Sequence, residues 1–402
     1  MPRHCERAAI VAMGSGARGA YEAGALSILV QRLREGGCEP RVYVGSGAGA
    51  ITATLLAACA HLSPVDQARR VVEHWRAMSV AEVYRSPILT SPVVAARLTG
   101  RILRLPGVRL PHLLDTMPQR RNIQQGIDWT RLRDNIADHG LTLAISTTAG
   151  DDNRTAVFVE RRDGVPVPCS DDERPLDYID AQIQPEHVLA SCAIPILFPA
   201  VRIRKPSGTP GWYLDGGLRL SAPLKPAIAL EADALVVAAT GPLRDTITTP
   251  HPGGVAPDVD DLLAELVANT FVDRMVEDVL GLGKVNSLLS EDGLMATASG
   301  RLRRKIPYVF VGPEHRETLG RLALDVLDDA PEYSTDPMVR VRQLEFRVLA
   351  RAFRGDGPRR GDLVSYLYFD QEFIRAALEL GQRDAESLLE GLPADEIPWR
   401  ID

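Results

Sequence analysis

Two glycine-rich turns in the first 50 residues carry the residue types used in acyl-transfer chemistry. The first follows the apolar run of residues 8–13 and reads Gly14-Ser15-Gly16-Ala17-Arg18-Gly19. Glycines allow a tight turn that directs backbone N–H groups into open space at a helix N-terminus, where they can bind a phosphate or a developing oxyanion. The spacing also matches the G-x-G-x-x-G dinucleotide fingerprint. That interpretation needs a carboxylate at the end of the second strand, and residues 44–46 supply none.

The second turn lies between a predicted strand and a predicted helix and reads Gly45-Ser46-Gly47-Ala48-Gly49. In a G-x-S-x-G nucleophile elbow, small residues flank a strained turn that lifts one side chain above the sheet edge. Gly45 and Gly49 occupy the two glycine positions, but the position between them is Gly47, which has no side chain to present. Ser46 is a weak alternative nucleophile, because centring the motif on it would put the β-branched Val44 in a glycine position.

A carboxylate follows much later, in Asp215-Gly216-Gly217. An aspartate before two glycines is placed in a loop, where it can act as a general base or orient another group. Asp-Gly-Gly is equally an ordinary turn sequence, so this motif alone leaves both interpretations open.

The order of glycine loop, elbow and Asp-Gly-Gly resembles the patatin-like phospholipases. The segment A-S-C-A-I-P-I-L-F-P at residues 190–199 is similar to a motif of that family, and residues 363–370 and 380–385 resemble the C-terminal helices of its bacterial members. The resemblance implies a Ser-Asp dyad that needs no histidine, with Asp215 as base and Gly47 in the serine position. It assigns the oxyanion hole to Gly14, Ser15, Gly16, Ala17, Arg18 and Gly19. His187 is expected to be a buried structural residue.

The same resemblance implies lipid acyl esters or fatty acids as ligands. With Gly47 in the nucleophile position, we expect a phospholipase, lysophospholipase or esterase scaffold that is inactive or severely impaired, since loss of the nucleophile typically costs roughly 10⁶-fold in kcat. A lipid-binding pseudoenzyme is the first alternative, and a nucleotide-binding Rossmann protein is a distant one.

Strand, glycine turn and helix alternate twice within the first 60 residues, which is the βαβ rhythm of a parallel sheet. We therefore predict a three-layer α/β/α core with a mainly parallel central sheet over residues 1–245. The rest of the chain, residues 246–402, is predicted to be a mainly helical region packed on the core. It begins with a Pro-, Gly- and Asp-rich stretch at residues 246–260. Helices are predicted there at residues 261–289, 337–353 and 369–392.

Composition excludes several functional classes. The chain has 46 Lys and Arg against 53 Asp and Glu, a net charge of −7, which argues against nucleic acid as a partner. Its five widely spaced cysteines form no C-x-x-C pair, and its histidines show no metal-ligand spacing, so we expect reduced thiols, no metal and no cofactor. With no predicted signal peptide or membrane-spanning run, a cytoplasmic location with at most peripheral membrane contact is expected.

Residues 83–125 include a possible basic lid or membrane-facing segment. Residues 83–114 contain no acidic side chain, and Arg97, Arg101 and Arg104 fall on one face of a predicted helix. A basic amphipathic helix of this kind can lie on an anionic lipid surface. A helix packed on the core with solvated arginines is equally compatible with the pattern.

Overall fold

A computed structural model describes residues 5–85, 114–171, 175–220, 223–243, 274–289, 295–296, 302–329, 360–393 and 395–401. Its strands are β1 Ala8–Ala12, β2 Pro40–Ser46, β3 Thr142–Ala149, β4 Thr155–Glu160, β5 Leu176–Asp180, β6 Val201–Ile203, β7 Gly211–Asp215, β8 Ala234–Ala238, β9 Met295–Ala296, β10 Leu302–Arg303 and β11 Tyr308–Val311.

The described helices surround the sheet, and short 3₁₀ turns follow two of the strands, at Gly16–Arg18 and Gly216–Leu218. The α-helices are α1 Gly19–Glu35, α2 Gly49–Ala58, α3 Pro64–Arg76, α4 Val80–Val83, α5 Met117–Gly126, α6 Trp129–His139, α7 Pro185–Ser191, α8 Leu224–Ala229, α9 Arg274–Leu288, α10 Thr318–Asp329, α11 Arg360–Leu367 and α12 Gln371–Leu389.

Nine strands of the described chain form one sheet, in which β11-β8-β1-β2-β3-β4-β5 lie side by side and β7 joins β3 and β6. The strands from β11 to β3 run parallel. Strand β3 pairs antiparallel with both β4 and β7. The predicted mainly parallel sheet is confirmed, and the predicted strand at residues 308–311 forms its edge.

Helices cover both faces of the sheet, which gives the predicted three layers. Ile10 of β1 belongs to a core cluster with residues of α1, α2, α3 and α12, whereas its neighbours Ala9 and Val11 face a second cluster with residues of α8 and α9. All five residues of β1 are buried. Burial on both faces explains why the strand is a continuous apolar run rather than an alternating one.

The C-terminal helix α12 packs directly on α1 through two glycines. A Cβ at Gly24 would lie 2.2 Å from the carbonyl oxygen of Leu378, and a Cβ at Gly381 would lie 2.1 Å from that of Tyr21. The Tyr21 hydroxyl donates to Asp384 at 2.6 Å beside this contact. The end of the chain is therefore built into the core layer, while the predicted boundary near residue 245 and the predicted helix at 337–353 lie outside the described residues.

The expectation of five reduced cysteines is wrong for two of them. Cys5 and Cys38 form a disulfide with their Cα atoms 5.5 Å apart, while Cys59, Cys169 and Cys192 are free. The two cysteines are 33 positions apart, and the segment between them, which comprises β1, the first glycine turn and α1, brings the second cysteine back beside the first. Sequence spacing gives no sign of that return. No helix in the described part of the chain is long and apolar enough to cross a membrane.

We expect Gly381→Ala to lower the free energy of unfolding by about 1–3 kcal/mol, the usual effect of overpacking a close contact. The added methyl group would meet backbone atoms of α1, so the two helices must separate. Urea denaturation gives the change. The matched control is Gly281→Ala in α9, where a Cβ meets nothing within 4 Å. The higher helix propensity of alanine should there raise the free energy of unfolding by as much as about 1 kcal/mol. Equal effects at the two positions would contradict the close-packing argument.

Candidate active site

The site is assembled along one edge of β3. Strand β2 pairs with β3 as far as Ser46, which lies opposite Ser146. The next residue of β3, Thr147, pairs with Asp215 at the end of β7. Along β3, the pairing with β2 stops at Ser146 and the pairing with β7 starts at Thr147. The turn that follows β2 and the carboxylate of Asp215, the last residue of β7, therefore meet at the same place on the sheet.

Gly47 has the backbone conformation expected at the apex of an elbow, with a φ of +54°. A Cβ there would lie 2.9 Å from the Cα of Gly14 and 3.2 Å from its carbonyl oxygen. Any side chain at position 47 would therefore be strained and would require Gly14 to shift by a few tenths of an ångström. The turn keeps the elbow backbone while the side chain is absent.

The flanking glycines are required by close approach. A Cβ at Gly45 would lie 2.5 Å from the Cα of Ala50, and one at Gly49 would lie 2.4 Å from the carbonyl oxygen of Ala12. Both would clash with backbone, so α2 could not start directly against the ends of β1 and β2. The predicted elbow glycines thus have a steric reason in this structure.

Two side chains from the end of α7 hold the apex of the turn. The hydroxyl of Ser191 accepts a hydrogen bond from the Gly47 amide at 2.9 Å and donates to the Ser146 carbonyl at 2.6 Å. The thiol of Cys192 donates to the Gly47 carbonyl at 3.1 Å. Both peptide groups of Gly47 are therefore anchored, and burial raises the pKa of the Cys192 thiol, with the nearby Asp215 adding to the effect.

Ser46 is fully buried, and its hydroxyl donates to the carbonyl of Leu220 at 3.2 Å. It does not line the cavity described below. This placement gives no support to Ser46 as a replacement nucleophile.

The glycine loop, residues 14–19, lies on the elbow. A Cβ at Gly14 would come within 2.4 Å of the Gly47 Cα and within 2.3 Å of the Ala48 nitrogen. Gly16 has a φ of +56°, after which a 3₁₀ turn leads into α1 at Gly19. The glycine loop is therefore packed closely against the elbow.

Asp215 is a buried carboxylate at the cavity wall. Its Oδ1 accepts from the Gly217 amide at 2.7 Å, and its backbone is held by Ala193 and by the Thr148 hydroxyl. Desolvation by burial raises its pKa to about 7, opposed by the Gly217 hydrogen bond. Gly216 must be glycine, since a Cβ would lie 2.1 Å from the Ser146 carbonyl oxygen.

A narrow cavity opens beside these groups, with room for about one water molecule (about 20 Å³). Asp215, Cys192, Gly16 and Ala48 meet its edge. The rest of its wall is mostly apolar and is formed by Ile51, Trp75, Met78, Val83, Gln119, Ile194, Phe198 and Phe369. Such a wall suits an acyl chain, although its side chains must move apart to admit one. Among the described residues, no three His, Cys, Asp or Glu side chains group as metal ligands would.

A patatin-like phospholipase family model matches residues 10–228, which is more than half of the 402 residues. The chain belongs to the patatin-like phospholipase family. This is a family of lipid hydrolases. No curated protein sequence matches the chain.

Two solved structures are similar to this patatin-like chain at low identity. VipD from Legionella pneumophila is 14% identical, with a TM-score of 0.33 over 95% of this chain and 67% of that one. The type III effector protein ExoU is 15% identical, with a TM-score of 0.25 over 98% of this chain and 76% of that one. The family assignment rests on the family match.

The structure brings together the glycine loop, Gly47 and Asp215, as the patatin-like motif order predicts. His187 is buried, and its ring nitrogens meet the Gln184 amide at 2.9 Å and the Lys205 carbonyl at 3.2 Å. The anchoring roles of Ser191 and Cys192 were not predicted, although the A-S-C-A-I-P motif marked their segment. Arg97, Arg101 and Arg104 lie outside the described residues.

The raised pKa of Asp215 predicts how its replacement changes stability with pH. Between pH 3.8 and about 7 the unfolded chain loses this proton while the folded chain keeps it, so stability falls as pH rises through that window. The full effect is on the order of 4 kcal/mol. Asp215→Asn keeps the acceptor for Gly217 and removes the ionisation. The free energy of unfolding of the variant minus that of the parent should therefore be more positive at pH 8 than at pH 4.5, as measured by urea denaturation.

Asp177→Asn provides a control of opposite sign. A hydrogen bond from Arg154 lowers the pKa of the partly exposed Asp177 below 3.8, so relative to the parent this variant should lose stability as pH rises towards 3.8 and should show almost no change between pH 4.5 and 8. Burial also raises the pKa of Glu22. Because Glu22 is present in the parent and in both variants, its contribution to the pH dependence cancels in the differences. An Asp215→Asn difference that is flat with pH would show that Asp215 is ionised normally.

Proposed function

We propose that this chain carries a patatin-type acyl-hydrolase site whose nucleophile position is Gly47, and that the chain as it stands is inactive or severely impaired. In this proposal Asp215 is the base, the glycine loop supplies oxyanion-hole donors, and the substrates are lipid acyl esters. The observation that carries the proposal is the convergence of the anchored Gly47 apex, the Asp215 carboxylate and the apolar cavity at one end of the sheet.

In a hydrolase of this design, Asp215 would take the proton of a hydroxyl at position 47 as it attacks the ester carbonyl. The loop N–H groups would stabilise the negative charge on the carbonyl oxygen. A base works best with a pKa near the operating pH, and the buried carboxylate is close to that condition. Gly47 removes the attacking atom but leaves the base and the donors in place.

A lipid-binding protein without turnover is the second candidate. It is favoured by the same missing nucleophile, because the cavity wall and the loop remain while cleavage has no attacking atom. It predicts fatty acid or phospholipid in the purified protein, detectable by mass spectrometry of an organic extract. The nucleotide-binding alternative lacks a ribose-binding carboxylate at the end of β2.

We also propose that the basic segment contacts anionic lipid through Arg97, Arg101 and Arg104. Its described flanks support this placement, because Arg85 and Asp115 exchange backbone hydrogen bonds of 2.8 and 2.9 Å and Val83 lines the cavity. The described residues on either side of residues 86–113 therefore lie beside the cavity. Changing all three arginines to Glu should weaken co-sedimentation with phosphatidylserine vesicles relative to phosphatidylcholine vesicles, whereas unchanged binding would assign the segment to packing.

Gly47→Ser should create esterase activity. We expect hydrolysis of p-nitrophenyl butyrate to rise by several orders of magnitude over the parent, since the nucleophile of a serine hydrolase is worth roughly 10⁶-fold in kcat. Activity should rise with pH to half its maximum near pH 7, where Asp215 becomes ionised. The double variant Gly47→Ser, Asp215→Asn should be inactive.

Gly47→Ala is the matched control, because it introduces the same strain at φ +54° without a hydroxyl. Each substitution should lower the free energy of unfolding by about 1–2 kcal/mol. If Gly47→Ser is no more active than Gly47→Ala while both are folded, the lipid-binding alternative is favoured. Activity in the parent that Ser46→Ala abolishes would show that the nucleophile has been misassigned.

A further inference from the structure

The outer side of the glycine loop is covered by a helix from the far end of the chain. Helix α11 ends with Ser365, Tyr366 and Leu367, which are all buried. These residues lie well beyond residues 10–228, the part of the chain that the family model matches. They touch the loop through both side chains and backbone.

Arg18 makes the side-chain contact. It is fully buried, its Nε donates to the Ser365 hydroxyl at 2.7 Å across 347 residues of sequence, and its guanidinium lies 4.6 Å from the centre of the Tyr366 ring. A buried guanidinium is strongly unfavourable unless hydrogen bonds and an aromatic face replace water. Arg18 is therefore directed into the protein and away from any lipid headgroup.

Gly16 makes the backbone contact. A Cβ on it would lie 2.1 Å from the Tyr366 carbonyl oxygen, and its positive φ also favours glycine. Gly14, two residues earlier, is in equally close contact with the elbow. The loop is thus held between the elbow on one side and the end of α11 on the other.

A side-chain contact with the residues after β8 also holds the glycine loop. The hydroxyls of Ser15 and Thr240 are 2.8 Å apart, and both residues are buried, Thr240 just beyond the end of β8. The end of α11 lies near the cavity. Phe369, two residues after the helix, forms part of the cavity wall, and the hydroxyl of Tyr84, the neighbour of the wall residue Val83, donates to the Leu367 carbonyl at 3.2 Å.

We propose that Arg18 and Ser365 are positioning residues of the hydrolase site, and that α11 fixes the geometry of the glycine loop, residues 14–19. This rests on the function proposed above. Oxyanion stabilisation depends on N–H donors that are already in place when charge develops. A loop with three glycines among six residues cannot hold that geometry alone, because glycine has the greatest backbone freedom.

Hydrogen–deuterium exchange of the full-length chain tests this without requiring turnover. Ser365→Ala should speed exchange of the amides of residues 14–19 by about tenfold or more, the change expected when about 1.4 kcal/mol of local stabilisation is lost. Ser365→Thr, which keeps the hydroxyl, should restore slow exchange. Ser27→Ala is the matched control, because Ser27 is a buried hydroxyl of α1 that bonds to the Gly24 carbonyl away from the loop.

A kinetic readout separates positioning from general stability. In the Gly47→Ser background, Ser365→Ala and Arg18→Lys should lower kcat about tenfold or more, with KM for p-nitrophenyl butyrate nearly unchanged. Loss of one oxyanion donor costs about 10²–10³-fold, so partial misplacement should cost less. If Ser365→Ala does not fold, Ser365→Cys, of similar volume but with a weak acceptor, takes its place in both assays.

Unchanged exchange of residues 14–19 in Ser365→Ala, or equal acceleration in Ser27→Ala, would overturn the proposal. So would a fall in activity that appears only in KM. If Gly47→Ser shows no turnover, the proposed hydrolase function fails, but the exchange comparison still determines whether α11 fixes the loop.

Discussion

The site depends on the extension of β3 beyond the end of β2. One edge of β3 is shared by two partners in succession, β2 up to Ser146 and antiparallel β7 from Thr147 to Ala149. Consecutive residues of a single strand therefore set the positions of the elbow and of Asp215. Shifting the register of either pair by one residue would turn the side chains to the opposite face of the sheet. The glycine contacts around the elbow and the burial of Asp215 follow from this arrangement, since each requires backbones to meet at that junction.

The fold and the motif-bearing part of the site could be predicted from the sequence because their signals are local. The buried run of β1 and the glycines at 45 and 49 reflect constraints between near neighbours. Contacts across the sequence could not be predicted in the same way. The disulfide of Cys5 with Cys38 depends on the path of an intervening strand and helix, and the anchoring of Gly47 by Ser191 depends on the packing of α7. One sequence without its fold does not specify such pairs.

In the function proposed above, Gly47 separates two properties that a nucleophilic serine normally combines. One is a backbone held at positive φ, which is strained for every residue with a Cβ and relaxed for glycine. The other is the attacking oxygen. In this chain the first is kept, with hydrogen bonds to both peptide groups, and the second is absent. In this chain the turn therefore carries no strain from a Cβ, and hydrogen bonds from the neighbours of residue 47 hold its geometry.

The contact between Arg18 and Ser365 also determines when, during synthesis of the chain, Arg18 can become buried. During synthesis, the first βαβ unit emerges long before the helix that receives Arg18, so this arginine has no Ser365 or Tyr366 to contact until residues 360–367 have been made. Its burial, like the docking of α12 on α1, requires residues beyond 360. A chain released before residue 365 would carry the motifs of the family yet leave a cationic side chain exposed in the middle of its glycine loop. The contacts of a loop near residue 18 are therefore complete only after residues 365 and 366 have been added.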